Sequence, residues 1–312
     1  MKLIISGIGK RNFLIKIIKA QALNLNIQLV GCDSDSYPPA RIEFEYFHKI
    51  RRAMEAGFID SYLDVFDEEE SVASITLIDT EIPVLGRIHR PGKVRVFHPN
   101  TQTALLCEDK YEFFKSARVN GISTLDTFTV PLSKYPFICK DRKGSAASGF
   151  SIIESEDDLK NLNLNRDLIF QPYCAGRHFC VDAYISFYSG ELIDICIKEV
   201  LSKSKGESYL LKSINSDAVI DFVKNICRWL PLKGIINFDI YEDDNKLMLM
   251  EVNCRIGGNY PASHAFGCNL IKPFLEEVIS AEASVPKLSI YSSNQIIAKY
   301  FSFSSPIIDD LI

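Results

Sequence analysis

The chain has 312 residues, 47% of them hydrophobic, enough for two or three lobes with cores of their own. Charged residues make up 24% and the net charge is −5, which excludes a dominant basic stripe for nucleic acid; Arg51-Arg52 and Lys203/Lys205 read as solvated faces. No stretch approaches the roughly 20 apolar residues that span a bilayer, and the opening run, broken by Gly7, Gly9, Lys10 and Arg11, lacks the pattern of a signal peptide.

In chain order, the apolar run 2–8 ends in glycine and feeds a helical pattern over 12–25. A second apolar run, 27–32, ends in Asp33-Ser34-Asp35. That order predicts a β-α-β unit with parallel strands. Gly7-Ile8-Gly9 has Asn12 where a dinucleotide fingerprint needs its third glycine, so a tight turn in an α/β lobe is favoured over a dinucleotide site. A helix over 60–66 and a strand over 74–78, with Asp79 at its end, continue the alternation. Arg90-Pro91-Gly92-Lys93 is a turn. A strand at 94–97 and helices at 101–106 and 110–120 follow, the last stopped by Gly121.

From 125 the pattern is β-rich, with strands predicted at 127–131, 135–140, 149–153, 168–173, 178–186, 192–200, 234–241 and 247–253. Helices are predicted at 156–162, 217–230 and 270–281. The divisions fall at 1–95, 96–170 and 171–312. Nine cysteines, scattered in apolar contexts without a CxxC pair, predict reduced core thiols and a cytoplasmic location, with no disulfide framework or zinc site.

Three segments carry chemistry. Lys140 ends the strand YPFICK and precedes a run of small residues, Gly144-Ser145-Ala146-Ala147-Ser148-Gly149. Such a loop lets backbone N–H groups approach phosphate, although a flexible hairpin has the same composition. The connection Gln171-Pro172-Tyr173-Cys174 joins two apolar strands and offers its backbone to an adenine edge, or is an ordinary edge turn. Asp239 and Glu251 lie on adjacent strands of a hairpin, and Asn253, two residues after Glu251, shares its face. Three oxygen donors on one face suit Mg²⁺; a Glu251–Arg255 salt bridge is the competing reading.

Read together, these segments resemble the ATP-grasp superfamily, and most closely its carbamoyl-phosphate-synthase-like carboxylate–amine ligases. The resemblance covers nearly the whole chain and implies an α/β (α+β) ATP-grasp fold. Residues 1–95 would be a Rossmann-like pre-ATP-grasp lobe, 96–170 the N-terminal subdomain with a phosphate lid, and 171–312 the C-terminal subdomain. By the same resemblance ATP would be held by Lys110, Lys140, Ser145, Ala147, Ser148, Gly149, Gln171, Pro172, Cys174 and His178. Two Mg²⁺ ions would be held by Asp239, Glu251 and Asn253, while Arg255 and Lys198 would act on the reacting groups. Gly257 to Pro261 matches the turn beside the acceptor site, with Ser263-His264 after it.

The implied reaction forms an amide or peptide bond through an acyl-phosphate, from small carboxylate and amine substrates of amino-acid type. A carboxylase of the same superfamily and a non-catalytic nucleotide-binding protein are the alternatives. No nucleic acid or membrane partner is implied, and related ligases often form homodimers. The chain departs from the pattern at Pro172, which lacks an N–H, at Cys254 where proline is usual, and at Glu199-Val200 where a second arginine is expected. His48, His89 and His98 lack partners at ligand spacing and read as structural residues.

Overall fold

A computed structural model describes residues 1–71, 73–88, 94–144, 149–204 and 207–300. The predicted turn at 90–93, His89, Ser145, Ala147, Ser148 and Lys205 lie outside the described residues. The first lobe is a parallel five-stranded sheet of β1 (Lys2–Ser6), β2 (Gln28–Asp33), β3 (Tyr46–Lys49), β4 (Ala73–Thr76) and β5 (Arg95–Val96), in the order β3-β2-β1-β4-β5. Helices α1 (Asn12–Asn24), α2 (Phe58–Glu68) and α3 (Ile82–Leu85) connect its strands. Alternation within β1 divides two cores. Leu3 and Ile5 join the α1 side, and Ile4 joins Phe58, Tyr62 and Phe66 of α2. The strand order reverses between β1 and β4, the place where open parallel sheets leave a crevice at their carboxyl ends.

Helices α4 (Thr101–Glu108) and α5 (Lys110–Val119) come next. Asn100 and Asp109 cap them, each accepting backbone N–H groups of the first turn. A three-stranded sheet follows, β6 (Phe137–Asp141), β7 (Ser151–Ile153) and β8 (Leu168–Pro172), in the order β7-β6-β8, with the short helix α6 (Glu156–Lys160) between β7 and β8. The predicted strand at 127–131 is absent. Phe128 exchanges backbone hydrogen bonds with Phe170 as an isolated bridge, and Pro131 has no N–H with which to extend it.

The large sheet is antiparallel, in the order β13-β12-β9-β10-β11-β14. Its strands are β9 (Arg177–Ile185), β10 (Leu192–Ser204), β11 (Glu207–Ile214), β12 (Gly234–Asp243), β13 (Lys246–Asn253) and β14 (Ile296–Ala298). Helix α7 (Asp217–Trp229) covers one face with Val219, Val223 and Ile226. Phe179, Val181, Ala183, Ile236, Phe238 and Ile240 meet it. Ala104, Cys107, Phe113 and Ala117 of α4 and α5 belong to this core, so 101–117 pack on the large sheet rather than on β6–β8. Helices α8 (Tyr260–Ala265) and α9 (Ile271–Ser280) bury Tyr260, Ile271 and Phe274 in the core that contains Leu3, Ile5 and α1. The first lobe is therefore packed onto the large-sheet lobe. Among the described residues no helix is long and apolar enough to cross a membrane.

Candidate active site

Part of the second face of the large sheet is polar, and register explains why. His178, Cys180 and Asp182 of β9 lie opposite Tyr241, Asp239 and Asn237 of β12. Asp239 and Asn237 in turn lie opposite Glu251 and Asn253 of β13. Directly opposed residues of antiparallel strands share a face, so these side chains collect on the side away from α7. The β12–β13 register slips by one residue between Asp239 and Ile240, leaving Met250 unpaired. Leu249, before the bulge, faces the dry core; simple alternation would send Glu251 there too. The bulge re-aims Glu251 to stand beside Asp239. Two carboxylates opposed in this way repel each other, an arrangement that a cation would relieve.

His178 approaches Asp239 with Nε2 at 2.8 Å from Oδ1 and stacks on Tyr241 at 4.8 Å. Burial alone would raise the Asp239 carboxyl; the His178 hydrogen bond, with Lys203 and Lys140, holds it below the ordinary value. Asn253 donates through Nδ2 to Asn237 Oδ1 at 3.3 Å. Among the described residues no three of His, Cys, Asp and Glu gather around one metal position. The donors are two carboxylates and an amide oxygen, which fits an ion such as Mg²⁺ that takes its other ligands from phosphate and water.

Two lysines approach from the opposite side. Lys110 lies 3.8 Å from Glu251 and donates to the Gly144 carbonyl at 2.7 Å. Lys140 shares one face of the small sheet with Ile138, Ile169 and Gln171, while Phe137, Cys139 and Phe170 form the core on the other. The Lys140 ammonium is buried, and no ion pair or hydrogen bond joins it to a described residue. Burial lowers its pKa, Glu251 opposes that, and Lys110 lowers it further. Two lysines converging on one position are the electrostatic form of a polyphosphate site.

Both roots of the small-residue loop are anchored. Arg142 pairs with Asp109 through two bonds of 2.8 Å, and Gly149 lies against the Asp141–Arg166 pair. Gln171 is buried and donates to Thr127 at 2.9 Å, while its Oε1 has no partner among the described residues. Pro172 and Cys174 follow in the β8–β9 connection, Pro172 exposed and Cys174 half-buried.

The competing Glu251–Arg255 salt bridge does not form. Arg255 instead reaches the first lobe, where its Nε and second guanidinium nitrogen bind Asp79 Oδ2 at 2.8 and 2.7 Å. His98 reinforces that seam. The Thr76 N–H donates to its Nε2 at 2.6 Å, and the ring also bonds the Cys254 backbone. A shallow cleft runs beside Asp79, Glu108, Glu251 and Asn253. Asp79, Arg11 and His98 were not singled out as site residues from sequence; the detectable signal was the position of Asp79 and Arg11 at the carboxyl ends of parallel strands.

Lys198, which the resemblance would place on the reacting groups, is wholly buried. It donates to Asp182 at 2.5 Å and to Ser263 at 2.6 Å, and Asp182 is equally buried. Burial works against its charge, but Asp182 prevails and its pKa is raised. From there it positions Asp182 and α8 beneath the site and touches nothing in solvent. Gly257 closes over the same network, since a Cβ there would meet Asn237 and Asp182 at 2.9 Å. Glu199 pairs with Arg177 and Lys212 at the sheet surface. His264 makes no cap at the entrance of α8, and its Nδ1 is buried without a partner among the described residues.

His98 carries a pH prediction. Burial lowers its pKa from 6.5 to about 4, whereas unfolding restores 6.5. The unfolded chain therefore binds the extra proton between these values, and stability falls as pH drops below 6.5. The expected loss approaches the order of 3 kcal/mol by pH 4. Urea unfolding of wild type and His98→Gln across pH 4–7 checks this; the variant should show a flatter pH dependence.

The family model described as "ATP-grasp in the biosynthetic pathway with Ter operon" matches residues 165–296. N5-carboxyaminoimidazole synthetase from Staphylococcus aureus, complexed with ADP, superposes with a TM-score of 0.73 at 15% identity, over 92% of this chain and 79% of that one. The chain has the ATP-grasp fold. L-amino acid ligase from Bacillus licheniformis is similar with a TM-score of 0.72 at 16% identity, over 89% of this chain and 74% of that one. The biotin carboxylase domain of Hydrogenobacter thermophilus 2-oxoglutarate carboxylase, in complex with MgADP, ADP and bicarbonate, gives 0.72 at 14% identity, over 94% and 73%. A search of curated protein sequences finds no match.

Proposed function

We propose that this ATP-grasp chain is a Mg²⁺- and ATP-dependent ligase that activates a carboxylate for attack by an amine. The observation that carries the reading is the opposed pair Asp239–Glu251, with Asn253 beside it, facing Lys110 and a buried Lys140 that has no described partner. Asp239, Glu251 and Asn253 would hold Mg²⁺, which when bound neutralises phosphate charge and polarises the transferring phosphoryl group. Lys140 and Lys110 hold the phosphates, and the face bearing Ile138, Ile169 and Gln171 receives the adenine. The L-amino acid ligase and the carboxylase domain with MgADP have the same fold, which supports nucleotide use here.

In the proposed reaction a carboxylate oxygen attacks the γ-phosphorus. The bond to the bridging oxygen breaks and ADP leaves with that electron pair. Arg255, held by Asp79, faces the acyl-phosphate and stabilises its developing charge. The amine nitrogen then attacks the acyl carbon, phosphate departs, and the nitrogen loses a proton to give the amide.

The test is a screen of amino-acid pairs, with bicarbonate as a further acid, for ADP and phosphate release, with products read by mass spectrometry. A condensed product one water lighter than its two substrates is expected. ADP formation with bicarbonate alone would favour a carboxylase. Absence of ATP turnover with every pair would favour a nucleotide-binding regulator.

A further inference from the structure

The seam between the first lobe and the large sheet carries more positive charge than the proposed nucleotide site uses. Arg11 follows the glycine turn of β1 and folds back so that its guanidinium donates to the Gly7 carbonyl at 2.7 Å. A Cβ on Gly7 would stand 2.3 Å from Ile78, so this turn abuts the residue before Asp79, the partner of Arg255. Arg11 and Arg255 thus come near one another at the strand-order reversal of the first lobe. Burial lowers the Arg11 pKa and Arg255 lowers it further, while Asp79, Asp33 and Glu81 act against them.

The carboxylates nearby are committed elsewhere. Asp33 accepts the N–H groups of Gly9 at 2.9 Å and Asp35 at 3.0 Å. Glu81 is buried among hydroxyls, accepting from Ser6 at 2.5 Å and Thr76 at 2.6 Å. Asp79 is taken by Arg255. Among the described residues no carboxylate forms an ion pair with Arg11. A guanidinium has five donors in a planar fork, and among the described residues this one makes a single bond. A half-buried arginine pressed toward a second arginine, without its own counterion, is costly unless an anion arrives to share it.

We propose that Arg11 is the binding group of a second anion subsite, so that the acid used by this chain is a dianion: one carboxylate is activated beside Arg255, and a second carboxylate or phosphate is held by Arg11. The inference rests on the ligase reading for the identity of the first carboxylate. The subsite itself rests on the Arg11 geometry. Arginine is suited to either anion, because its fork matches both in bidentate fashion.

The test uses matched probes. Succinate, 3-phosphonopropionate and butyrate are titrated calorimetrically into wild type, Arg11→Gln and Arg11→Lys, each with and without MgADP. At least one of the two dianions should bind wild type roughly tenfold more tightly than butyrate. Which of the two binds better assigns the second group as carboxylate or phosphate. Arg11→Gln should bring the preferred dianion to the level of butyrate, while Arg11→Lys recovers part of the preference. Equal binding of all three probes by wild type, or a preference that survives in Arg11→Gln, would overturn the subsite. Failure of MgADP to bind would contradict the ligase reading alone, because Arg11 takes no part in the nucleotide contacts.

Discussion

Replacing Glu251 by alanine is expected to lower acid-dependent ADP formation by on the order of a thousandfold while the chain still folds. The loss follows from position. Glu251 is directly opposite Asp239, and the bulge at Met250 turns it out of the core. Its removal leaves one carboxylate and one amide to hold a cation against a triphosphate. The fold should hardly register the change. The Glu251 side chain is 22% exposed and its ion pair with Lys110 is long, at 3.8 Å; such a contact is worth less than about 1 kcal/mol. Relief of repulsion from Asp239 would offset even that. Steady-state ADP release together with urea unfolding separates the two effects. Turnover near that of wild type would remove Glu251 from the metal site. Asp239→Asn, which keeps shape and loses charge, should behave in the same direction.

Lys198→Met should produce the opposite profile, with a large loss of stability. Lys198 and Asp182 are both wholly buried, and removing one partner leaves the other charge uncompensated, at a cost of about 3–5 kcal/mol. Adding Asp182→Asn removes the orphaned charge and keeps an acceptor for the Asn237 amide, which bonds Asp182 Oδ1 at 3.0 Å. The double variant should therefore recover much of the stability, and activity should recover with it. A double variant that is stable but inert would return Lys198 to the reaction itself. Chemical unfolding and ADP release on the same samples distinguish the outcomes.

These two residues also mark what sequence could convey. Glu251 and Asn253 share a face because they are two apart on a strand, and that period is visible in LMLMEVN. The β-α-β opening, the Asp239–Glu251 hairpin and the long amphipathic α7 follow from equally local periods. The bulge at Met250 leaves no such trace, since it depends on the partner strand. Lys198 is a lysine on an alternating strand; only the approach of Ser263, 65 residues away, reveals its burial. The bond from Arg255 to Asp79 spans 176 residues, and His98 joins the same seam. Contacts of that kind have no local signature. Strand β11 was missed because ESYLLKSI, bordered by lysine, glycine and glutamate, reads as loop until β10 and β14 pair with it on both sides.

The seam also explains why the first lobe belongs to the site. Its sheet packs against α8 and α9, and its crevice opens beside Arg255. On the proposed reading, substrate selection would fall where three layers meet: the Gly7–Arg11 turn, the segment after β4 and the loop after β13. Changes on the first lobe should alter the preference among acids more than the affinity for nucleotide.

The central claim is carboxylate activation by phosphoryl transfer, and oxygen labelling tests it most directly. The acid identified by the screen is prepared with ¹⁸O in its carboxylate and turned over with MgATP and the amine. Attack of that carboxylate on the γ-phosphorus predicts one labelled oxygen in the inorganic phosphate released with each amide formed. Unlabelled phosphate, released while the labelled acid is converted to amide and ATP is consumed, would contradict activation of that carboxylate at the γ-phosphorus.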